Sequence, residues 1–252
     1  PRISNFTDIA PLEAVDELDV SYVSNISQFG DPDVVIIPGS KNTISDLLWM
    51  RQNGLEGKIL RHAAKGGIVF GICGGYQMLG QSISDPTGAE QKGTVRGMGL
   101  LPVTTVFEQE KRRTRVSGRF AKVGGALAEM SGVCYEGYEI HMGRTVLSKG
   151  TVPLVYMEEE GEQRQDGAQS DHVYGCYMHG IFDMSETVKT FLAAVLRKKG
   201  IDPSKITVRD RNAYKEEQYD RLASIVRENL NMEAVYKIIE KGNEASCSLL
   251  SE

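Results

Sequence analysis

The sequence predicts an α/β protein with an open, mostly parallel sheet flanked by helices, and additional antiparallel strands in the middle of the chain. Three observations carry this. Val34-Val35-Ile36-Ile37 and Gly67-Ile68-Val69-Phe70 are short unbroken apolar runs, the pattern of strands buried on both faces of a parallel sheet. Between them, Ile44, Leu47, Leu48 and Trp49, then Leu55, Ile59, Leu60 and Ala63, recur at helical spacing, so strand, helix and strand alternate as in a βαβ unit. The second apolar run leads into GICGGYQMLG, residues 71–80, in which glycines turn a strand sharply into a short helix, the pattern of a nucleophile elbow with cysteine at its tip.

Taken in order, residues 1–12 are turn-rich, and Leu18 to Ser24 alternates as a strand would. Asn42 or Thr43 can cap the first helix, and Gly66-Gly67 closes the second. Beyond the elbow, short β-type runs span Leu100 to Phe107 and Arg115 to Phe120 around the basic Lys111-Arg112-Arg113, and Val133 to Met142 and Val152 to Met157 read as strands. Glu158 to Asp166 reads as an exposed acidic loop. Val173 to Met178 is an apolar strand ending at His179-Gly180; a helix over about Glu186 to Lys199 and one long helix from about Ala213 to Glu240 follow. The expected organisation is a domain over 1–200 and a C-terminal helical extension over 201–252.

The chain has 252 residues, 40% hydrophobic and 25% charged, and a net charge of −5, which is ordinary for a globular domain and gives no footprint for nucleic acid. No apolar run approaches the roughly 20 residues that span a bilayer. The cysteines at 73, 134, 176 and 247 have neither zinc-site nor disulfide-framework spacing, so a cytoplasmic setting and no metal in this domain are expected. The first residue is proline, from which a longer parent chain is expected.

The chemistry concentrates at Cys73. Small neighbours let a nucleophile sit at the tip of a strained turn, and the N–H groups of the helix behind it favour thiolate and can hold an oxyanion. A thiol needs a base, usually histidine. Of His62, His141, His172 and His179, His179 ends a strand as Cys73 does, and reactive groups of a parallel sheet gather beyond such ends; His141 is the runner-up. Gly39 and Ser40, with Gly74, can supply the oxyanion hole. Gln77, one turn after Cys73, offers a carboxamide suited to an amide ligand.

Gly-Ile-Cys-Gly-Gly-Tyr-Gln resembles the Gly-x-Cys-x-Gly-x-Gln elbow of class I (triad) glutamine amidotransferases, and PRISNFTD, IIPGSKNTISDL, GLLPV, GYEIHMG and YMHGIFD in this order are similar to the glutaminase domains of the cobyric acid synthase family. The resemblance implies a flavodoxin-like fold, Cys73 as nucleophile, His179 as base and acid, Gly39 and Gly74 at the oxyanion, and Gln77 on the substrate glutamine. It implies no cofactor in this domain; ATP and Mg belong to an N-terminal synthetase half, the partner domain at which a corrinoid acceptor is amidated. The family elbow often pairs with His-Pro-Glu, but here the stretch is His179-Gly180-Ile181, and isoleucine cannot orient an imidazole; Asp183 and Glu139 are the candidate orienting acids. The rival readings are the glutaminase of a cobyrinic acid a,c-diamide synthase or of cell-wall lipid amidation, a stand-alone cysteine hydrolase using Asp166 or Asp171, and a non-catalytic binding domain.

Overall fold

The computed structural model describes residues 3–159, 162–208 and 211–248. The chain divides into two compact units, Pro1–Val208 and Arg209–Glu252. In the first, α1 (Ala10–Glu13) precedes β1 (Val34–Ile37), α2 (Thr43–Gln52), α3 (Leu55–Ala64), β2 (Ile68–Ile72) and the elbow helix α4 (Gly74–Leu79). Strands β3 (Ser82–Asp85), β4 (Gly93–Arg96), β5 (Val103–Phe120), β6 (Cys134–Leu147), β7 (Val155–Glu159), β8 (Glu162–Asp166), β9 (Ala168–Ser170) and β10 (Val173–Cys176) lead to α5 (Ser185–Lys198). The second unit holds α6 (Arg211–Asn229) and α7 (Met232–Ser248).

Two sheets form the first unit. One has the order β1-β2-β10-β9. Its first three strands are parallel, with Ile37 beside Gly71 and Cys176 beside Ile72, and β9 adds an antiparallel edge. The other runs β4-β3-β5-β7-β8, with β6 paired to β5. All of β2 is buried, as its unbroken apolar run requires. Phe70 packs its ring against Phe182 and Phe191, at centroid distances of 5.6 and 6.5 Å, so the helix after His179 is anchored on the strand that carries Cys73.

Several expectations are corrected. Leu18 to Ser24 is irregular rather than a strand; Leu18 and Val20 pack on the core, while Tyr22 and Val23 are exposed. The two β-type runs around Lys111-Arg112-Arg113 are one strand, β5, whose register against β6 shifts between Phe107 and Arg112. Of the stretch Glu158 to Asp166, residues 160 and 161 lie outside the described residues; the rest is not a loop but pairs as β7 with β8, where Arg164 forms ion pairs with Glu139 and Glu159 and Arg112 joins both carboxylates. The long C-terminal helix is two, broken at Leu230 and Asn231, with Asn231 Oδ1 accepting from Ala234 N at 3.1 Å. Residues 201–208 fall in the first unit, with Ile206 and Val208 packed on its core. Among the described residues no helix is long and apolar enough to cross a membrane.

Candidate active site

Cys73 has φ 52° and ψ −108°, a positive φ that is costly for a residue with a side chain and survives only where its surroundings impose it. They do so here. Cys73 N donates to Cys176 O at 2.9 Å, and Cys73 O accepts from Gln77 N at 3.1 Å, tying the turn to β10 on one side and to α4 on the other. The glycines admit the close approach of backbones: a Cβ on Gly75 would run into the Ile37 carbonyl, and one on Gly71 would lie 2.7 Å from Tyr76 N. The cysteine is 7% exposed, with its thiol 3.8 Å from Ile140 O of β6.

That contact shows what β6 does. It passes over the carboxyl ends of the parallel strands. Tyr138 N donates to His179 O at 3.1 Å and His179 N to Tyr138 O at 2.9 Å. Gly137 lies against the His179 carbonyl, Ile140 over the thiol and Gly143 against the Gln77 carboxamide.

His179 is 2% exposed, and its imidazole stands beside Cys73: the position of a Cβ on Gly39 is 2.9 Å from His179 Cε1 and 3.7 Å from Cys73 Cβ. The other edge of the ring meets a residue on which the sequence reading places no chemistry: Nδ1–H donates to Asp8 Oδ2 at 2.7 Å, and Gly180 N donates to Asp8 Oδ1 at 2.9 Å. A carboxylate only accepts, so Nδ1 carries a proton toward Asp8 in either charge state of the ring. Burial opposes charge on the ring, but the Asp8 hydrogen bond, and after it the thiol, outweigh burial and raise the His179 pKa from 6.5 to about 10. Cysteine, imidazole and carboxylate thus stand in line, the arrangement in which a base activates a nucleophile and an acid fixes the base.

Neither candidate orienting acid occupies that place. Asp183 lies on the far side of Gly180, its carboxylate 3.2 Å from where a Cβ on Gly180 would stand. Glu139 is fully buried with Arg112 and Arg164, and 3.6 Å from His141 Nε2. Burial works against its charge, but His141 and the two arginines hold its pKa below the usual carboxylate range. His141 itself stacks on Tyr177 at 3.7 Å and bonds Gly143 O through Nδ1 at 2.8 Å. His62 is half-buried, with Nε2 3.1 Å from Ile68 O. Asp166 accepts from Tyr177 N at 2.8 Å, and burial first, then Glu139, push its pKa up to about 6.

Gly39, Ser40 and Gly74 converge. A Cβ on Gly39 would lie 2.9 Å from His179 Cε1 and 3.7 Å from Cys73 Cβ, and one on Gly74 would be 2.9 Å from Ser40 N. Gln77 is buried; its Nε2 donates to Tyr177 Oη at 3.1 Å and its Oε1 accepts from Thr43 Oγ1 at 3.1 Å. Beside it the structure adds Glu90, whose carboxylate accepts from Ile44 N at 3.1 Å and Thr43 Oγ1 at 3.2 Å. Burial raises its pKa above the ordinary range. Its loop is fixed by Asp85, fully buried, which accepts from the N–H groups of Gly88, Ala89, Glu90 and Gln91 at 2.8–2.9 Å. Asp8 ends a short turn, Phe6–Asp8, capped by Asn5, a local pattern that does not by itself point to the histidine. Glu90 has no comparable signal.

A sheet that delivers a thiol, an imidazole and a carboxylate in contact order has the fold of the triad-type glutamine amidotransferases: a crystal structure titled glutamine amidotransferase superposes with a TM-score of 0.54 at 14% identity, over 77% of this chain and 95% of that one. PurLQS from Thermotoga maritima does so at 0.52 and 18%, over 71% and 85%. Residues 1–187 match the CobB/CobQ-like glutamine amidotransferase domain, and the chain belongs to that family. It is 52% identical over 248 residues to a cobyric acid synthase of Ruminiclostridium cellulolyticum, covering 97% of this chain and 48% of the relative. A cobyric acid synthase of Lachnoclostridium phytofermentans is 43% identical, over 96% and 49%. The chain therefore spans about half the length of the curated relatives it matches.

Proposed function

We propose that this chain is the glutamine-hydrolysing half of a cobyric acid synthase. The observation that carries the reading is the Asp8–His179–Cys73 line at the carboxyl ends of β2 and β10. With the proton already on His179 as an imidazolium, the Cys73 sulfur beside it attacks as thiolate on the side-chain carboxamide carbon of glutamine. Backbone N–H groups at Gly39, Ser40 and Gly74 hold the oxyanion of the tetrahedral intermediate. The imidazolium then protonates the departing nitrogen, the C–N bond breaks, and a γ-glutamyl thioester and ammonia result. Water, deprotonated by the same imidazole, hydrolyses the thioester to glutamate and restores the thiol. Gln77 orients the substrate, and Glu90 supplies a counter-charge for its α-ammonium group.

The 52% identity to a relative about twice as long supports a second half that uses ATP and Mg²⁺ to activate corrinoid carboxylates, which the ammonia converts to amides. The stand-alone hydrolase reading is disfavoured by Asp166, which lies on the Tyr177 amide, while the acid on His179 comes from upstream of the nucleophile. The test is incubation with the glutamine-mimicking alkylator diazo-oxo-norleucine followed by peptide mass spectrometry. One adduct is expected, on Cys73, and Cys73→Ala should abolish both it and glutamate release. Labelling spread over Cys134, Cys176 and Cys247, with Cys73 untouched, overturns the reading.

A further inference from the structure

We infer that Asn5 and Tyr138 are positioning residues of the glutaminase site, a clamp from two distant segments that holds the Asp8–His179 pair in line. This rests on the glutaminase reading above and assigns roles that the cysteine, histidine and aspartate leave open. Asn5 has its carboxamide fully used. Its Oδ1 accepts from Thr7 N at 3.3 Å and Thr7 Oγ1 at 2.6 Å; its Nδ2 donates to Asp8 Oδ1 at 3.1 Å and to Tyr138 Oη at 2.6 Å. Exchanging the two ends of the amide would set its oxygen against the Asp8 carboxylate, so the orientation is forced by its partners. One side chain thereby caps the turn that presents Asp8, holds the Asp8 oxygen not used by His179, and reaches across to β6.

Tyr138 completes the clamp from the other side. Its ring lies over the His179 imidazole at 5.2 Å and 21°, within the range at which an aromatic face stabilises a cation. Its backbone brackets His179 through both N–H···O bonds. The imidazole is thus fixed in the plane of the Asp8 hydrogen bond and stabilised perpendicular to it. The segment carrying Asn5 is docked independently, through Ser4 N donating to Gly39 O at 2.9 Å and the Ile3 to Ser40 bridge. The clamp therefore also ties the acid to the strand end at which Gly39 sits. The titratable groups facing His179 are Cys73 from the elbow, Asp8 from the N-terminal turn and Tyr138 from β6, with Asp183 beyond Gly180.

The test is proton NMR of the full chain, with ¹⁵N-histidine, following the His179 Nδ1–H signal as pH rises, alongside glutamine kinetics. The wild type should hold a far-downfield Nδ1–H resonance into the alkaline range. Asn5→Ala and Tyr138→Leu should lose it, or titrate at least one pH unit lower. In both, kcat should fall at least tenfold with KM within twofold, because neither side chain touches the Gln77 side of the pocket. Tyr138→Phe, which keeps the ring and loses only the Asn5 bond, should retain most of the signal and guards against loss of fold as the cause. Wild-type titration and kcat in both Asn5→Ala and Tyr138→Leu would overturn the clamp. A wild type inactive on glutamine would count against the glutaminase reading instead, while the NMR titration still decides this one.

Discussion

Asp8 and His179 are 171 residues apart in the chain and 2.7 Å apart in space, and that contact is the largest of the influences that raise the His179 pKa. A histidine whose folded pKa is raised contributes stability that is fully present below its unfolded value and is lost as pH climbs through the folded one. For His179 the window runs from about 6.5 to about 10. Asp8→Asn removes the leading cause of the increase. The variant should therefore be less stable than wild type at pH 6, and the difference should shrink toward pH 10.5, as read by urea unfolding at both. Glutamine hydrolysis should fall roughly 10²-fold or more, the usual contribution of a positioned acid–base pair. A stability gap that stayed constant across the window would mean that Asp8 acts elsewhere. At this scale Cys73, His179, Gly74 and Gln77 were legible because each stands at a turn or a helix start within one local pattern. Asp8 was not, because the Ile3 to Ser40 bridge that brings its segment to the site leaves no periodicity in the sequence. The absence of His-Pro-Glu at His179 turns attention to Asp183, just downstream of the histidine, and to Glu139, upstream of it.

At the scale of elements, the site is a parallel sheet end closed by an antiparallel strand. Gly75 of the elbow stands against backbone, whereas Gly143 of β6 stands against a side chain. This distinction predicts different failures for one substitution. In Gly75→Ala the new methyl meets the Ile37 carbonyl, which cannot move without breaking the β1–β2 register, so a loss of about 3 kcal/mol is expected. In Gly143→Ala the nearest atom is the end of the Gln77 side chain, which can swing aside. The thermal midpoint should then change little, while KM for glutamine rises about tenfold, the equivalent of one lost hydrogen bond. Thermal unfolding and steady-state kinetics on the two variants separate the cases. Equal destabilisation by both would show that β6 is as rigid as the elbow. The β1–α2–α3–β2–α4 sequence of elements was readable from its spacing alone. The β7–β8 hairpin was not, since alternating charges read as solvent-facing unless their partners are known. Arg112 and Arg164, paired with Glu139 and Glu159, bring those charges into a sheet that the hydrophobic pattern alone would leave out.

For the molecule as a whole, the placement of the core decides what is dispensable. Among the described residues every buried apolar side chain lies between Ile9 and Val195, and Ile206 and Val208 are the last to pack on that core. Asp8, Gly39, Cys73, Gln77, Glu90, Tyr138 and His179 all fall in the same unit, Pro1–Val208, as does the stretch that matches the family, residues 1–187. Helices α6 and α7 present Tyr219, Leu222, Ile225, Leu230, Tyr236, Ile238 and Ile239 as exposed apolar side chains, and none of these belongs to the core. A chain ending at Val208 should therefore unfold in one cooperative transition with the midpoint of the full chain, to within about 2 °C, since none of the described core side chains is removed. Its Cys73 should react with diazo-oxo-norleucine at an unchanged rate, as every residue that shapes the thiol is retained. Calorimetry and the alkylation rate are the measurements. A truncated chain that keeps its midpoint but loses the labelling would assign the helical unit a direct part in shaping the pocket, and one that loses both would place α6 and α7 within the folding unit itself.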